Sequence, residues 1–238
     1  MHWKSAGIDD AILNKGLLIT IDGPAGAGKT TVSRMLAQRL GYIYVDTGAL
    51  YRGVAFETKA RGILTDDDAA LEKMCRGLDL AFRRTPAGLR LFANGRDITD
   101  FIRTPEITML ASAVSARPVV RRCLLDLQRA LGRRKKAVFE GRDMGTVVFP
   151  EADVKFYLTA SPVERARRRF NESEPGSASL AQVEKDLCRR DADDSSRAVA
   201  PLKPAPDAVL IDSTGIPAEE VVDLMLDHME RRIAGTAS

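Results

Sequence analysis

The run Gly23-Pro24-Ala25-Gly26-Ala27-Gly28-Lys29-Thr30 follows the pattern G-x-x-x-x-G-K-[ST]. Glycines at these positions let the backbone curl so that successive N–H groups face phosphate oxygens, and a helix opening behind them adds its positive end. Lys29 can reach the β and γ phosphates of a nucleotide, and the Thr30 hydroxyl is a ligand type for Mg²⁺. The pattern requires a strand before it and a helix after it. The apolar run Leu17–Ile21 and the helical spacing of Thr30–Leu40 meet both conditions. Residues Gly23 to Thr31, including Thr31 itself, are therefore expected to bind a nucleoside triphosphate with Mg²⁺.

Three further sets carry charge suited to phosphate. Asp46-Thr47-Gly48-Ala49-Leu50-Tyr51-Arg52 offers a hydroxyl and an arginine just after an apolar run. Glu140-Gly141-Arg142-Asp143-Met144-Gly145 follows Ala137–Phe139, and ligands of open α/β sheets sit at the carboxyl ends of strands. In Arg189-Arg190-Asp191-x-x-Asp194-x-x-Arg197, residues Arg190, Asp194 and Arg197 share one face if the segment is helical. A solvated salt-bridge face would explain that third set alone. A phosphate loop by itself leaves switch GTPases, motor ATPases and small-molecule kinases open. The guanine-reading N-K-x-D is missing, because Asn14-Lys15 runs on into Gly16-Leu17 and Asn94-Gly95-Arg96-Asp97 lacks the lysine.

The elements that must position these residues alternate. Leu17–Ile21, Tyr42–Val45, Ala137–Phe139, Val154–Leu158 and Ala208–Ile211 read as buried parallel strands. Thr30–Leu40, Ala49–Ala60, Val119–Leu131, Pro162–Asn171 and Pro217–Arg232 read as helices between them, which is an α/β pattern with a parallel sheet. Two segments break the alternation. Leu78–Ile98, with turn signals at Thr85–Gly88 and Asn94-Gly95, predicts a small antiparallel meander. Glu172–Ala200 is a polar stretch with almost no core formers outside Leu180, Val183 and Leu187, and it predicts a mobile arm. Met1 to Asn14 lacks an apolar h-region and reads as a mobile leader.

Composition narrows the function. At 238 residues with 45% hydrophobic and 29% charged side chains, the chain can bury a core and is not a disordered class. Net charge is +3, too small for coating nucleic acid, although 26 of the 36 basic residues are arginine, the better fork for phosphate. The two histidines, His2 and His228, stand at the extremities, which argues against histidine acid–base or metal chemistry. Cys75, Cys123 and Cys188 form no C-x-x-C pair, so neither a disulfide framework nor a thiolate zinc site is expected. No apolar run is long enough to span a bilayer. Arg133-Arg134-Lys135-Lys136 reads as a helix-end charge cluster, and Thr65-Asp66-Asp67-Asp68 as a helix cap with acidic first-turn residues.

With these residues in view, the chain resembles the bacterial cytidylate kinases over Leu17 to Arg232. The resemblance rests on I-D-G-P-A-G-A-G-K at 21–29, D-T-G-A-L-Y-R at 46–52 and E-G-R-D-M-G-T-V-V-F-P at 140–150. It continues through E-R-A-R-R-R at 164–169, R-R-D-A-D-D-S-S-R-A-V-A-P-L at 189–202 and I-D-S-T at 211–214. It implies the P-loop kinase three-layer α/β fold: a five-stranded parallel sheet, an antiparallel insertion at about 62–104 and a mobile lid at about 165–200, within a domain spanning 17–238 after a leader at 1–16. The implied reaction carries the γ-phosphoryl group of ATP to CMP or dCMP with Mg²⁺.

The resemblance also assigns roles. Thr47, Arg52, Arg142 and Arg197 hold the acceptor phosphate, Ser112, Arg121 and Asp143 read the cytosine, and Arg190 and Asp194 contact the sugar. Lys29 and the lid arginines Arg165, Arg168 and Arg169 neutralise the transferring group. Two departures stand out: Thr30-Thr31 follows the lysine where the family has a small residue, and Asp193 stands where an arginine is common. A cytoplasmic monomer, without nucleic acid or membrane as partner, is the expectation. The alternatives are another kinase of this scaffold (acting on UMP, AMP or shikimate) and a regulatory ATP-binding module that holds RNA.

Overall fold

Apolar runs too short for helices and too far apart for hairpins must pair through crossover helices, which buries both faces of the sheet. The computed structural model describes residues 16–86, 88–172 and 179–235, so the leader expected at 1–14 lies outside the described residues. The elements run β1 (Leu18–Asp22), α1 (Lys29–Leu40), β2 (Ile43–Asp46), α2 (Thr47–Ala60), α3 (Asp68–Arg76), β3 (Leu80–Thr85), β4 (Gly88–Ala93) and β5 (Arg96–Asp97). There follow α4 (Pro105–Ser115), α5 (Pro118–Gly132), β6 (Ala137–Glu140), β7 (Val154–Thr159), α6 (Pro162–Asn171), α7 (Leu180–Ser196), β8 (Val209–Asp212) and α8 (Ala218–Gly235). A π-helical turn occupies Met144–Val148. No helix among the described residues is long and apolar enough to cross a membrane.

The chain divides into two compact units, one made of the residues up to Val45 and from Gly132 onward, the other of Asp46–Leu131. In the first, five parallel strands lie in the order β2-β6-β1-β7-β8. β1 is central: Leu18 to Ile21 pair with Ala137 to Glu140 of β6, and Ile19 to Asp22 with Val154 to Tyr157 of β7. All five β1 residues are buried. One core joins Ile19, Ile21, Val138, Phe156 and Leu158 of the sheet to Val32, Leu36 and Leu40 of α1 and to Val222 and Met225 of α8. Covering the strands in this way leaves their carboxyl ends as the place where polar loops can gather.

The second unit holds the antiparallel sheet β3-β4-β5. Asn94 and Gly95 both have positive φ, 48° and 80°, as a tight two-residue hairpin turn demands. Its core joins Leu50 and Val54 of α2 to Leu71 and Met74 of α3, Leu80 and Leu91 of the sheet, Val114 of α4 and Leu124 of α5. The acidic run at 65–68 caps α3, through Asp67, whose side chain accepts from Ala70 N at 2.9 Å.

The strands and helices read from periodicity appear within three residues of their expected bounds, the largest difference being the last helix, which runs on to Gly235. Two elements were not read that way. α4 is capped by Thr104, accepting from Ile107 N at 3.2 Å, with Pro105 at its first position. α7 gives the polar arm a helix capped by Ser179, whose hydroxyl accepts from Gln182 N at 3.2 Å.

Gly53 of α2 lies where a Cβ would meet Leu80, Leu91 and Ile98 at 3.1, 3.2 and 3.4 Å, so the meander seats on a helix stripped of a side chain there. Gly53→Leu should lower the unfolding free energy by about 1–3 kcal/mol through overpacking. Urea melts will read the change, and an unaltered midpoint would mean that this contact is not close.

Candidate active site

The phosphate loop leaves β1 at Gly23 because no other residue fits: its φ is +146°, and a Cβ would lie 1.9 Å from the Leu158 carbonyl oxygen. Gly28, with φ +86°, caps α1 in the left-handed conformation. Lys29 opens that helix, is buried, and its Nζ donates to the Pro24 carbonyl at 2.6 Å. Burial, followed by the nearby Arg142 guanidinium, pushes the Lys29 ammonium well below the ordinary lysine range; Arg190 adds to the push, and Glu140 and Asp22 oppose it.

Glu140 ends β6 and is buried. The exposed Thr30 hydroxyl donates to its carboxylate, 2.9 and 3.1 Å from the two oxygens, and the Tyr44 hydroxyl donates to it as well. Beyond Glu140 the chain must return past β1. Asp22, the last residue of β1, accepts from Met144 N at 2.9 Å and Gly145 N at 2.7 Å. A Cβ on Gly145 would approach Thr20 Oγ1 to 3.0 Å, so the close approach also needs a glycine. Asp143 precedes this turn with its side chain buried, and its carbonyl accepts from Val147 and Val148.

A second buried carboxylate organises the arginines. Asp194 of α7, 1% exposed, pairs with Arg142 Nε at 2.9 Å and also with Arg197. Burial alone would raise its pKa, but Arg142, Arg197 and Arg190 together hold it below the ordinary aspartate range. Arg142, Asp194 and Arg197 therefore meet; Asp194 and Arg197 follow the spacing read in the sequence, Arg142 reaches them from 52 residues away, and the charge of Arg190 acts on Asp194 and on Lys29.

Two arginines of α6, Arg165 and Arg168, are committed to the loop. Arg165 is buried, donates to the carbonyls of Ala25 at 2.9 Å and Ala160 at 3.0 Å, and pairs with Asp191. Arg168 pairs with Glu164 at 2.9 Å and donates to Ser213 Oγ at 3.0 Å and the Ser213 carbonyl at 2.6 Å. Ser213 Oγ lies 3.2 Å from the Ala27 carbonyl, which ties the far end of the loop to β8's exit. Arg169 is exposed and pairs with Glu172 at 3.2 Å.

In the second unit, Asp46 caps α2 by accepting from Ala49 N at 3.1 Å and pairs with Arg52 at 2.6 Å. Gly48 makes room, since a Cβ there would lie 3.1 Å from Arg52 Nη1. Thr47, the first residue of α2, is buried. Arg121 of α5 donates to the Ser115 carbonyl at 3.0 Å and lies over the Tyr51 ring at 5.3 Å; Ser112 is half-buried on the last turn of α4. Arg103, 4.0 Å from Asp46, adds a second cation beside Arg52.

Several participants stand outside the charged sets read from spacing: Asp22, Tyr44, Ser213 and Arg103. Asp22 carries a readable signal, because it ends a buried strand that faces the loop side.

The family model described as cytidylate kinase matches residues 19–231. Among curated proteins, the chain is 51% identical over 224 residues to the cytidylate kinase of Geobacter sulfurreducens, covering 93% of this chain and 96% of that one. It is 48% identical over 226 residues to that of Citrifermentans bemidjiense, covering 94% and 97%. Among solved structures, a gluconokinase from Sinorhizobium meliloti matches with a TM-score of 0.51 at 14% identity, covering 94% of this chain and 98% of that chain, a likeness of fold.

Asp22 offers a test of this geometry. Burial pushes its carboxyl up from 3.8 to about 6 against the pull of the Gly145 and Met144 N–H groups. A carboxyl with a raised folded-state value costs stability as pH rises: the loss begins at the unfolded value and is complete above about 6. The stability of the wild type relative to Asp22→Asn should therefore fall by about 3 kcal/mol between about pH 4 and pH 7, then level off. Denaturant melts across that range measure it, and a pH-independent difference would contradict the raised carboxyl.

Proposed function

The chain belongs to the cytidylate kinase family, and we propose that it carries out that family's reaction with the two sets of residues described above. The enzyme is a phosphotransferase that moves the γ-phosphoryl group of ATP to CMP or dCMP. The observation that carries the residue assignment is the pairing of Arg142 and Arg197 on buried Asp194, with Arg190 acting on the same carboxylate and Lys29 in the field of Arg142, Arg190, Glu140 and Asp22. Such a cluster is suited to a ligand that brings several negative charges.

ATP binds along Gly23 to Thr31, with backbone N–H groups and Lys29 on its phosphates. The roles proposed for CMP fall to Thr47, Arg52, Ser112, Arg121, Arg142, Asp143, Arg190, Asp194 and Arg197, the residues that the family motifs assign to it. A phosphate oxygen of CMP forms the new bond to the γ-phosphorus while the bond to the bridging oxygen of ADP breaks. The acceptor is already ionised, so no general base is required. Catalysis then consists of alignment and preorganised positive charge, supplied by Lys29, Arg142 and Arg197 and, from α6, by Arg168. Arg165 contributes by fixing the loop, given its bonds to Ala25 and Ala160.

The Thr30 hydroxyl and the Glu140 carboxylate beside it are hard oxygen donors of the kind Mg²⁺ takes together with substrate phosphates. Bound there, the ion would offset charge on the phosphoryl oxygens. Residues 165–200 form the proposed lid, a polar segment with few core residues, whose function is to keep water from the γ-phosphate. The three free cysteines suit a cytoplasmic setting.

Asp143, buried beside Arg142, is assigned to the cytosine edge. Asp143→Ala should cut kcat/KM for CMP roughly 10- to 100-fold, since a polar edge of the base is left unpaired. Coupled ADP-release assays with CMP, dCMP, UMP, AMP and shikimate test both claims together. Strong release with CMP and dCMP alone, reduced by that factor on Asp143→Ala, is expected. Release with a different acceptor would remove the base-reading assignment, and none with any acceptor would remove the reaction.

A further inference from the structure

Ala25 of the phosphate loop is held on three sides by residues outside it. Its N–H donates to Asp191 Oδ1 at 3.2 Å, its carbonyl accepts from Arg165 Nη1 at 2.9 Å, and the same Nη1 pairs with Asp191 Oδ2. Its methyl belongs to a small apolar cluster with Ala166 of α6 and Val183 and Leu187 of α7. The contact leaves no slack: a Cβ on Gly26 would lie 3.0 Å from both Cβ and the carbonyl oxygen of Arg165. Helix α7 thus grips the donor loop by one carboxylate and two apolar side chains.

Three residues further along, the same helix places Asp194 between Arg142 and Arg197. Residues three apart share a face of a helix. One rigid element therefore carries, on one face, the carboxylate that fixes the ATP loop and the carboxylate that aligns two acceptor arginines.

We propose that α7 couples donor and acceptor binding, and that Asp191 is the positioning residue through which it does so. This rests on the reading of the loop as the ATP site and of Arg142 and Arg197 as acceptor groups. ATP fixes the backbone at Ala25; through Asp191 this fixes the helix, and with it the orientation of Asp194 and its two arginines. By linkage, CMP on those arginines favours the loop arrangement that ATP requires, to the same factor. Charge acting directly between the two substrates would not depend on Asp191.

The test is a binding cycle on the full chain. CMP affinity is measured by calorimetry with and without a non-hydrolysable ATP analogue and Mg²⁺, in the wild type, Asp191→Ala and Asp191→Asn. In the wild type the analogue should tighten CMP at least about fivefold, and in Asp191→Ala that factor should fall toward 1. Asp191→Asn keeps an oxygen for the Ala25 N–H but no charge for Arg165, and should lie between; it also decides the matter should the alanine variant fail to fold. Undiminished coupling in a folded variant, or no coupling in the wild type, would overturn the proposal. CMP phosphorylation by the wild type, measured in parallel, tests the underlying reading separately, because turnover can persist while the coupling role of Asp191 fails.

Discussion

Like charges must be held together before any ligand arrives to neutralise them, and this constraint shapes the first unit. Arg142, Arg190 and Arg197 act on buried Asp194, and Lys29 lies in the field of Arg142 and Arg190 and of buried Glu140 and Asp22. Left to themselves, four cations at the end of a sheet would spread into water. Three of them are instead fixed by partners that are rigid for their own reasons. Lys29 sits at the first position of a helix that begins at a left-handed glycine. Arg142 and Arg197 share a carboxylate that is itself almost wholly buried. A field assembled in advance need not reorganise as charge redistributes in phosphoryl transfer, which is the largest contribution that a protein makes to such chemistry.

The backbone obeys the same constraint. The loop after β6 returns beneath β1 only because the Asp22 carboxylate takes two consecutive N–H groups and Gly145 offers no side chain. The wider π-helical turn that follows begins at Asp143 and leaves Asp143 and Arg142 at the strand end. In the second unit an aspartate again ends a strand, but Asp46 caps the following helix and holds Arg52, so the acid serves both backbone and cation.

Local patterns in the sequence were sufficient for the phosphate loop, the alternation of strands and helices, the Asn94-Gly95 hairpin and the pairing of Asp194 with Arg197 three residues on. Each depends on neighbours a few residues away, or on motif blocks that stay contiguous. Contacts that join distant segments were not legible in that way. Asp22 to Gly145 spans 123 residues and Ala25 to Asp191 spans 166, and nothing in the composition of either end announces the other. α4 was hidden differently: Thr104-Pro105-Glu106 is a sound helix start, but the apolar residues behind it do not fall on one clear stripe. In the polar arm, only the four-residue spacing of Val183 and Leu187 betrays the helix, because its packed face is so narrow.

The claim on which this account rests is that cations are crowded in the free protein and relieved by substrate phosphate. The titration of the Lys29 ammonium, followed by NMR on the protein labelled at lysine, tests it most directly. The expected result is a value well below the ordinary lysine range in the free protein, rising when a non-hydrolysable ATP analogue binds, as negative charge favours the protonated form. An ordinary lysine value in the free protein, unchanged by the analogue, would contradict it.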